Sequence, residues 1–487
     1  MSRDRRYDLV ILGGGTGGLV SAFVAAGMGA RVALVERDRA PGGDCLWTGC
    51  VPSKSLLAAA AIAHDVGRAG EFGLQASVAA VDLGAVMAQI REIQARIAPH
   101  DSAARLEAAG VTVVHAAGRL EAGSVLVAGD RRLRYRKAIV ATGSAPMLPD
   151  VPGLAAAAPL TTDSVWELTV LPERLVVLGG GPIGCELGQA FARLGSDVTI
   201  VESADRLLPH EDPAASRLLT DALRGEGLTV RTDARAARVE ANTDAGAAGA
   251  VVTLEGGERL APATLLVATG RRPRTGGLGL AAAGVQTGAS GAIVVDSALR
   301  TTARHVFAVG DVTGGPAFTH AAAHQARTAT VNALVGLRRR ADTALIPRVT
   351  FTDPEVAHVG LTAAQARERW GERAVISAVE GHGQLDRALT ARAQTAAATL
   401  VADPKRRLVG GTIVGPAAGE SIAELTAWIT AGERIAAVSE TVHAYPTFTE
   451  AAARAADEHL RARYAAPRVR ALLRVLLAGA RLVPRRR

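Results

Sequence analysis

The segment Tyr7-Asp-Leu-Val-Ile-Leu-Gly13-Gly-Gly15-Thr-Gly-Gly18 establishes what kind of fold begins at the N-terminus of this chain. Its apolar start predicts a buried strand, and the glycines that follow have the spacing Gly-x-Gly-x-x-Gly. Such glycines let the backbone approach a pyrophosphate at the N-terminus of the next helix. After that helix, a strand from Arg31 to Val35 ends at Glu36, whose carboxylate can bind ribose hydroxyls. The segment therefore predicts a dinucleotide-binding unit.

The same unit occurs a second time in the chain. It consists of the strand Arg174 to Leu178, Gly179, Gly181 and Gly184, a helix, the strand Asp197 to Val201, and Glu202. A shorter repeat, Val-Ala-Thr-Gly at 140–143 and 267–270, predicts a buried strand that reaches each binding face. This duplication predicts two dinucleotide sites.

Two of the three cysteines, Cys45 and Cys50, lie directly downstream of the first unit. In a regular helix this separation would correspond to a rise of about 7.5 Å, which exceeds the roughly 4.4 to 6.8 Å between the Cα atoms of a disulfide. The pair can therefore close only across an irregular turn, which Thr48 and Gly49 can form. Pro52 predicts the first turn of a helix, so Cys50 lies at a helix N-terminus, where a thiolate is favoured.

The simplest alternative is two buried cysteines that happen to be close. The flanking glycines, the helix start and the nearby nucleotide fingerprint favour a redox pair instead. Lysine occurs only at Lys54, Lys137 and Lys405, so a chain that otherwise uses arginine has placed an ammonium group beside the cysteines.

Composition limits the class of protein. A chain of 487 residues predicts about three domains, and 48% hydrophobic residues with 53 glycines favour a globular α/β protein. Three cysteines are too few for a disulfide framework and favour a reducing, cytoplasmic setting. The net charge of +8 is concentrated toward the C-terminus, so no nucleic-acid partner is predicted. We expect neither a signal peptide nor an apolar run long enough to span a membrane.

Three later segments carry further signals. The strand 306–310 ends at Asp311, which predicts a carboxylate in a ligand crevice, although a surface turn is the alternative. Beyond residue 340, alternating strands predict an antiparallel sheet with helices on one side. The segment His443-Ala-Tyr445-Pro-Thr-Phe-Thr-Glu450 places polar groups around a proline turn. The alternative is a turn that only connects two elements and has no functional role.

The last 22 residues, 466–487, are apolar and cationic. A C-terminal helix docked on the protein, with a frayed basic end, is the favoured interpretation. The alternative is peripheral contact with an anionic membrane interface.

With both fingerprints, the sequence Cys-x-x-x-x-Cys-Val-Pro-Ser-Lys and the late proline turn, the chain resembles the flavin-dependent pyridine-nucleotide disulfide oxidoreductases. This family includes dihydrolipoamide dehydrogenase, glutathione reductase and mercuric reductase. The resemblance implies an α/β fold with two Rossmann-like dinucleotide-binding domains, for FAD and NAD, plus a C-terminal α+β dimerisation domain. It also implies a homodimer in which each active site is completed by the partner subunit. The implied domains are FAD-binding 1–150, NAD(P)-binding 151–275, a second FAD-binding or central part 276–342, dimerisation 343–465, and a basic amphipathic tail 466–487.

The resemblance also implies roles for individual residues. The implied FAD contacts are Gly13, Gly15, Gly18, Glu36, Lys54, Gly118, Gly143, Asp311 and Thr319. The implied NAD contacts are Gly179, Gly181, Gly184, Glu202 and Gly270. By the same resemblance Cys50 faces the flavin, Cys45 attacks the substrate, and Lys54 is paired with Glu186. Tyr445 and Glu450 of the partner subunit assist proton transfer, and no resident metal is predicted.

Glu202 favours NADH over NADPH, because a carboxylate accepts from the ribose 2′-hydroxyl and repels a 2′-phosphate. Arg206 lies close in sequence and weakens this preference.

The chain departs from the family at one place. The disulfide-reducing members have histidine directly before the proline, whereas this chain has Tyr445 there and His443 two positions earlier. A phenol does not readily hold a positive charge against a thiolate at pH 7, so efficient dithiol exchange is not expected. Mercuric reductase also lacks this histidine, but its C-terminal cysteine pair has no counterpart after Cys185.

We therefore expect an NAD(P)H-dependent FAD flavoprotein that passes electrons through Cys45 and Cys50 to an external acceptor. The acceptor is a disulfide, a soft metal ion such as Hg(II) or Cu(II), or a quinone. The alternatives are a dihydrolipoamide dehydrogenase and, from another class, a flavoprotein redox sensor that does not turn over.

Overall fold

A computed structural model describes residues 6–241, 249–380, 385–393 and 395–482. The described residues form two compact units. Unit 1 comprises Met1–Leu207 and Leu223–Ile346, and unit 2 comprises Leu208–Ala222 and Pro347–Arg487. Residues 208–222, which lie inside the span assigned to the NAD domain, belong to unit 2. The predicted domain boundaries stay predictions.

The first sheet of unit 1 is parallel through the order β3, β2, β1, β6 and β15. The strands up to residue 146 are β1 (Tyr7–Leu12), β2 (Val32–Glu36), β3 (Thr112–His115), β4 (Gly118–Glu121), β5 (Val125–Ala128), β6 (Arg131–Val140) and β7 (Ser144–Pro146). The first half of β6 alternates exposed and buried residues and pairs with β5 in an antiparallel ribbon. Its second half is buried and lies between β1 and β15 (Val306–Ala308).

The β1 strand is buried on both faces, as strands of covered parallel sheets are. Leu9 and Ile11 face one hydrophobic cluster, and Val10 and Leu12 face another. Helix α1 (Thr16–Gly27) covers one side and packs against α8 (Thr319–Val335). The predicted strand Tyr7 to Leu12 is confirmed, and its C-terminal end delivers the chain to the glycine turn.

The second sheet of unit 1 repeats this arrangement. It is parallel, in the order β10, β9, β8 and β13. The remaining strands of unit 1 are β8 (Arg174–Leu178), β9 (Asp197–Val201), β10 (Thr229–Arg231), β11 (Ala236–Ala241), β12 (Ala250–Leu254), β13 (Thr264–Val267) and β14 (Arg271–Pro273). The predicted strands at 174–178 and 197–201 are confirmed with these bounds. Strand β14 pairs with β7 in an antiparallel ribbon.

The third glycine of each fingerprint is required by a close backbone approach. A Cβ atom built at Gly18 would lie 1.8 Å from the carbonyl oxygen of Gly13, and one at Gly184 would lie 1.9 Å from that of Gly179. These carbonyls are backbone atoms at the end of a buried strand, so neither can move aside. The same steric constraint therefore fixes both strand-to-helix turns.

Further helices carry or support the cysteine region. The other helices up to residue 225 are α2 (Gly43–Trp47), α3 (Cys50–Gly67), α4 (Leu83–Asp101), α5 (Ala103–Ala108), α6 (Pro182–Leu194) and α7 (Pro213–Gly225). By length and composition the segment Gly43–Gly67 could cross a membrane, so the expectation that no such apolar run exists was wrong. A core helix passes the same test. Since α3 packs against α4 and α6, we interpret the segment as part of folded unit 1.

Unit 2 is built on an antiparallel sheet in the order β16, β17, β20, β19 and β18. Its strands are β16 (Arg348–Thr350), β17 (Glu355–Gly360), β18 (Val375–Glu380), β19 (Ala397–Ala402) and β20 (Leu408–Gly415). Its helices are α9 (Ala363–Trp370), α10 (Asp386–Thr390), α11 (Ala418–Ala431), α12 (Ile435–Glu440), α13 (Glu450–Ala465) and α14 (Pro467–Leu482). The antiparallel sheet predicted beyond residue 340 is confirmed.

A buried polar network holds residues 208–222 to the sheet of unit 2. Arg348 forms an ion pair with Glu211, with its Nε 2.5 Å from Oε1, and Asp212 accepts hydrogen bonds from Thr412 and from the amide of Ala363. His358, which is fully buried, makes a hydrogen bond to Thr412 through Nδ1. Burial lowers the pKa of His358 to about 4, so the imidazole is neutral at pH 7.

We predict that Gly18→Ala destabilises unit 1 by more than about 2 kcal/mol, because the added methyl group collides with backbone. The matched control is Gly27→Ala in the same helix, where an added Cβ meets nothing within 4 Å. That change should shift stability by less than about 1 kcal/mol. Thermal unfolding and the fraction of FAD retained after purification measure both variants. Equal unfolding temperature and equal FAD retention for Gly18→Ala and Gly27→Ala would contradict the steric argument.

Candidate active site

The two cysteines lie on either side of a tight turn between two helices. Cys45 is in α2 and Cys50 is the first residue of α3, with Thr48 and Gly49 between the helices. Both cysteines are free thiols in this structure. The predicted irregular turn and the helix start at Cys50 are confirmed, whereas the short helix around Cys45 was not predicted.

Side chains from distant segments hold this turn. Gln94 of α4 donates to the carbonyl oxygens of Leu46 and Trp47, each at 2.9 Å. The indole of Trp166 donates to the carbonyl oxygen of Thr48 at 3.0 Å. These carbonyls lie at the end of α2, where a helix leaves acceptors unpaired. Gln94 and Trp166 therefore fix the backbone between the cysteines, and no sequence signal identified them.

The sulfur atoms are electronically unequal. A hydrogen bond from the Cys45 thiol, together with Thr319 and Lys54, lowers the pKa of Cys50 to about 6 against the opposing effect of burial. The Thr319 hydroxyl oxygen lies 3.2 Å from the Cys50 sulfur. The hydrogen bond to Cys50, and then burial, raise the pKa of Cys45 far above its ordinary value. At neutral pH the pair is therefore a Cys50 thiolate that accepts a hydrogen bond from a Cys45 thiol.

The predicted ion pair beside the cysteines is present. Lys54 Nζ of α3 lies 2.7 Å from Glu186 Oε2 of α6. The carboxylate side chain is 7% exposed and the lysine side chain 38%. A carboxylate this deeply buried requires a counter-charge, so the pair ties the two helices together one turn after Cys50.

The two acidic residues predicted to bind ribose occupy equivalent positions. Glu36 accepts hydrogen bonds from the amides of Gly14 and Asp38. Glu202 accepts from the amide of Gly180 at 2.6 Å and from that of Ala204 at 2.7 Å. Each carboxylate is thereby fixed against the glycine turn of its own sheet.

The middle glycine of each fingerprint faces open space. A Cβ at Gly181 would meet nothing within 4 Å, and one at Gly15 would meet only the Cα of Gly43, at 3.7 Å. Each turn is followed by a helix N-terminus, α1 or α6, which favours a phosphate group. The residues present therefore fit a dinucleotide at both turns.

The other predicted cofactor contacts lie in the same unit. A Cβ at Gly118 would lie 2.5 Å from Leu12 Cδ1, so close packing also requires glycine there. Asp311 accepts a hydrogen bond from Ser144 at 2.6 Å, directly after Gly143. Gly270 precedes β14 and accepts a hydrogen bond from the amide of Met147 at 3.0 Å. The cofactor roles of these residues stay predictions.

In unit 2, Tyr445 is 68% exposed and its phenol donates a hydrogen bond to Asp386. This hydrogen bond raises the pKa of Tyr445. Glu450, the first residue of α13, accepts instead from the amide of Thr447 at 3.4 Å. The sequence did not reveal Asp386 as the partner of Tyr445, since the two residues are 59 positions apart.

The histidine two positions before Tyr445 anchors the same loop. His443 Nε2 lies 2.9 Å from Glu424 Oε1 of α11, and the indole of Trp428 donates to the same oxygen at 3.2 Å. The side chain of His443 is 11% exposed. His443 therefore fixes the start of the loop, whereas Tyr445 projects from it.

Two family models match the chain. The pyridine nucleotide-disulphide oxidoreductase model matches residues 7–326. The dimerisation domain of the same family matches residues 346–456. The match to a dimerisation domain supports a homodimer.

Curated relatives match nearly the whole chain. A mercuric reductase of Bacillus cereus is 36% identical over 446 residues, which cover 91% of this chain and 70% of the relative. A mercuric reductase of Streptomyces lividans is 37% identical over 458 residues, 91% of this chain and 94% of the relative. Dihydrolipoyl dehydrogenase 2 of Haloarcula marismortui is 37% identical over 467 residues, 92% and 96% of the two chains.

Solved structures agree with this assignment. The Cu(II) complex of the HOCl-induced flavoprotein disulfide reductase RclA from Escherichia coli has a TM-score of 0.82 and 27% identity, and the match covers 93% of this chain and 99% of that one. LpdA from Mycobacterium tuberculosis has the same TM-score, identity and coverage. The predicted α/β fold class is confirmed.

We predict that alkylation of Cys50 in the reduced protein has a pH midpoint near 6, and that Thr319→Val moves the midpoint upward because a hydrogen bond to the thiolate is lost. The sign follows because the thiolate is the form that reacts. The matched control is Ser55→Ala, whose hydroxyl donates to the carbonyl oxygen of Val51 and should leave the midpoint unchanged. The rate at which iodoacetamide alkylates Cys50, measured across pH, gives the midpoint. A wild-type midpoint near 8.5 would refute the assignment of Cys50 as a thiolate at neutral pH.

The family match, the relatives and the two dinucleotide turns lead to one conclusion. The predictions of a flavoprotein and of FAD and NAD(P)H as cofactors are confirmed. The chain belongs to the pyridine nucleotide-disulphide oxidoreductase family and is an NAD(P)H-dependent flavin disulfide oxidoreductase.

Proposed function

We propose that the protein uses NADH to reduce a soft metal ion, such as Hg(II) or Cu(II), at Cys45 and Cys50. The observation that carries this proposal concerns Tyr445, which occupies the position of the histidine in disulfide-reducing members. Its phenol donates a hydrogen bond to Asp386. That hydrogen bond raises the pKa of Tyr445. A disulfide acceptor needs an acid that can hold a positive charge beside a thiolate, whereas a soft metal ion binds thiolates directly.

The comparisons support the same acceptor class. The relatives include mercuric reductases of four bacteria, and one structural neighbour is described as a Cu(II) complex. The electron balance is simple: NADH supplies two electrons, which convert one Hg(II) to Hg(0), or two Cu(II) to two Cu(I), with release of NAD⁺ and one proton.

The cofactor contacts follow from the two glycine turns. When bound, FAD accepts a hydride from NADH and supplies the electron pair that reduces the cysteines. We assign the FAD site to Gly13, Gly15, Gly18, Glu36, Lys54, Gly118, Gly143, Asp311 and Thr319. We assign the NAD site to Gly179, Gly181, Gly184, Glu202 and Gly270.

The two cysteines have different roles in this proposal. Cys50, as the thiolate, is the sulfur next to the flavin, and Cys45 is the sulfur that meets the acceptor. A metal ion needs both sulfurs as thiolates, so its binding releases the Cys45 proton. The ion pair of Lys54 with Glu186 keeps a positive charge near Cys50. We assign assistance of proton transfer at the acceptor to Tyr445 and Glu450 of the partner subunit.

The preference for NADH comes from two carboxylates. Glu202 lies at the end of β9, where the ribose of the cofactor is recognised. Arg206, the nearby cation, forms an ion pair with Asp205, at 3.0 Å between Nη1 and Oδ1. A 2′-phosphate would therefore face Glu202 and an arginine already paired with a carboxylate.

An acceptor panel tests the proposal. The FAD-loaded, full-length protein receives NADH or NADPH and then Hg(II) with excess thiol, Cu(II), lipoamide, glutathione disulfide or a quinone. We expect kcat/KM for a metal ion to exceed that for lipoamide, and NADH to exceed NADPH, each by about tenfold or more. Replacing both Cys45 and Cys50 with serine should abolish metal reduction. The matched control Cys185→Ser, at a fully buried cysteine, should not.

Dihydrolipoamide dehydrogenase activity is the second candidate, because a dihydrolipoyl dehydrogenase matches over 96% of its length. A dominant lipoamide rate would establish it and overturn the role given to Tyr445. Tyr445→His should raise the lipoamide rate by about tenfold, since it restores an imidazole. The exposed Tyr464 provides the control substitution Tyr464→His. Reduction that stops after one equivalent of NADH would instead indicate a redox sensor.

We also propose that the C-terminal helix α14 binds an anionic lipid surface. At helical spacing, Arg470, Arg474 and Arg481 share one face. The opposite face carries Leu472, Val475 and Leu476. Leu472 and Leu476 are 59% and 58% exposed. Residues 466–487 contain seven arginines and no acidic residue, which is the charge complement of anionic phospholipids.

Vesicle sedimentation of the full-length protein tests this contact. We expect binding to vesicles that contain phosphatidylglycerol, weak binding to pure phosphatidylcholine, and loss of binding at high salt. Arg470→Glu with Arg474→Glu should weaken binding by at least about tenfold. The control is Arg338→Glu with Arg340→Glu in unit 1. Unchanged binding, or a change in oligomeric state instead, would contradict the proposal and, in the latter case, assign α14 to a second copy of the chain.

A further inference from the structure

Asp44, the residue directly before Cys45, forms a cluster with two arginines that are distant in sequence, Arg271 of β14 and Arg274 directly after it. We propose that this charge clasp, Asp44 with Arg271 and Arg274, holds Cys45 against Cys50 and so sets how readily the cysteine pair reacts. Asp44 is thus a positioning residue that acts through Cys45. The inference rests on the proposed function of the cysteine pair.

Both oxygens of the Asp44 carboxylate are engaged by the clasp. Oδ1 accepts a hydrogen bond from Arg274 Nη1 at 3.0 Å, and Oδ2 accepts from Arg271 Nη2. The arginine side chains are 19% and 23% exposed, and that of Asp44 is 32% exposed. Partial burial strengthens charge-assisted hydrogen bonds, so the contact restrains Asp44 more than an exposed ion pair would.

Arg271 is itself fixed by the neighbouring strand. Its Nε donates to Ser144 Oγ at 2.7 Å, its Nη2 to the carbonyl oxygen of Ser144 at 3.1 Å, and its Nη1 to Thr162 Oγ1 at 3.3 Å. Ser144 donates in turn to Asp311. The guanidinium is therefore held in one orientation, and Asp44 is bound to the β7 and β14 ribbon rather than to a mobile side chain.

Helix α2 depends on such contacts because it has only five residues and no side-chain cap at its N-terminus. A helix this short is not stable by itself. Gln94 holds its C-terminal carbonyls, and the clasp holds its first turn. Cys45 lies between these two attachments, so its thiol is aimed at Cys50 by both.

Loss of the clasp has two consequences for the thiols. Cys45 becomes more accessible, because the first turn of α2 is free to move. The hydrogen bond from Cys45, which is the largest influence lowering the pKa of Cys50, is weakened. The pKa of Cys50 should therefore rise toward its ordinary value when Asp44 is neutralised.

Alkylation of the NADH-reduced, FAD-loaded, full-length protein tests the clasp. Iodoacetamide labelling of each cysteine is followed by peptide mass spectrometry across pH. For Asp44→Asn we expect the Cys50 midpoint to rise by roughly one pH unit and Cys45 labelling at pH 7 to increase by about fivefold. Arg274→Gln should act in the same direction, and Arg274→Lys should retain most of the wild-type profile because it keeps the charge.

The matched control is Asp163→Asn, which removes a carboxylate 3.7 Å from Arg274 that is not part of the cysteine helix. Coincident profiles of Asp44→Asn and wild type, or an equal shift for Asp163→Asn, would overturn the proposal. Melting temperature and FAD content identify a variant that fails to fold. If Asp44→Asn fails to fold, the comparison of Arg274→Gln with Arg274→Lys tests the proposal instead. If the double serine variant kept its turnover while Asp44→Asn still shifted labelling, the proposed function would fail and the clasp would stand.

Discussion

The placement of Cys45 beside Cys50 across a tight turn is the constraint on which the proposed chemistry depends. It exists because α3 begins at Cys50 and α2 presents Cys45 across a turn. Neither helix end could hold this geometry alone, since α2 is one turn of helix and the segment between the cysteines is irregular. Gln94, Trp166 and the charge clasp are the contacts that make it persistent.

The dinucleotide turns obey a constraint of a different kind, which is steric. Gly18 and Gly184 approach a backbone carbonyl so closely that no side chain fits. The same solution appears in both sheets, with a carboxylate, Glu36 or Glu202, bound to the amide inside each turn. Two copies of one local rule therefore fit the two dinucleotides, and in the proposed function the cysteines follow the flavin in the electron path.

In the proposed function, the choice of electron acceptor depends on which acid–base group acts beside Cys45. An imidazole would assist the reduction of a disulfide, because it can accept and return protons near neutral pH. In the proposed function the phenol of Tyr445, which donates a hydrogen bond to Asp386, does not exchange protons in this way, and His443 anchors its own loop through Glu424. This distribution of roles favours an acceptor that binds sulfur directly.

The sequence by itself determined the duplicated units, the bounds of their first strands, the helix start at Cys50 and the family. These features follow from local rules: glycine spacing, apolar runs and a proline in a first helical turn act over a few residues. The pairing of Lys54 with Glu186 was also predicted, but only through the resemblance to the family. The expectation that no apolar run is long enough to span a membrane was wrong, because residues 43–67 meet that criterion by length and composition, although α3 packs within unit 1.

Only the tertiary structure decided how the cysteine turn is held and what Tyr445 contacts. Asp44 and Arg271 are 227 positions apart, and Tyr445 and Asp386 are 59 apart. Such contacts arise where strands and helices distant in sequence meet, and no local pattern encodes which charge will face which. The physical reason is that an ion pair is specified by topology and burial, whereas a strand, a turn or a helix start is specified by its own few residues.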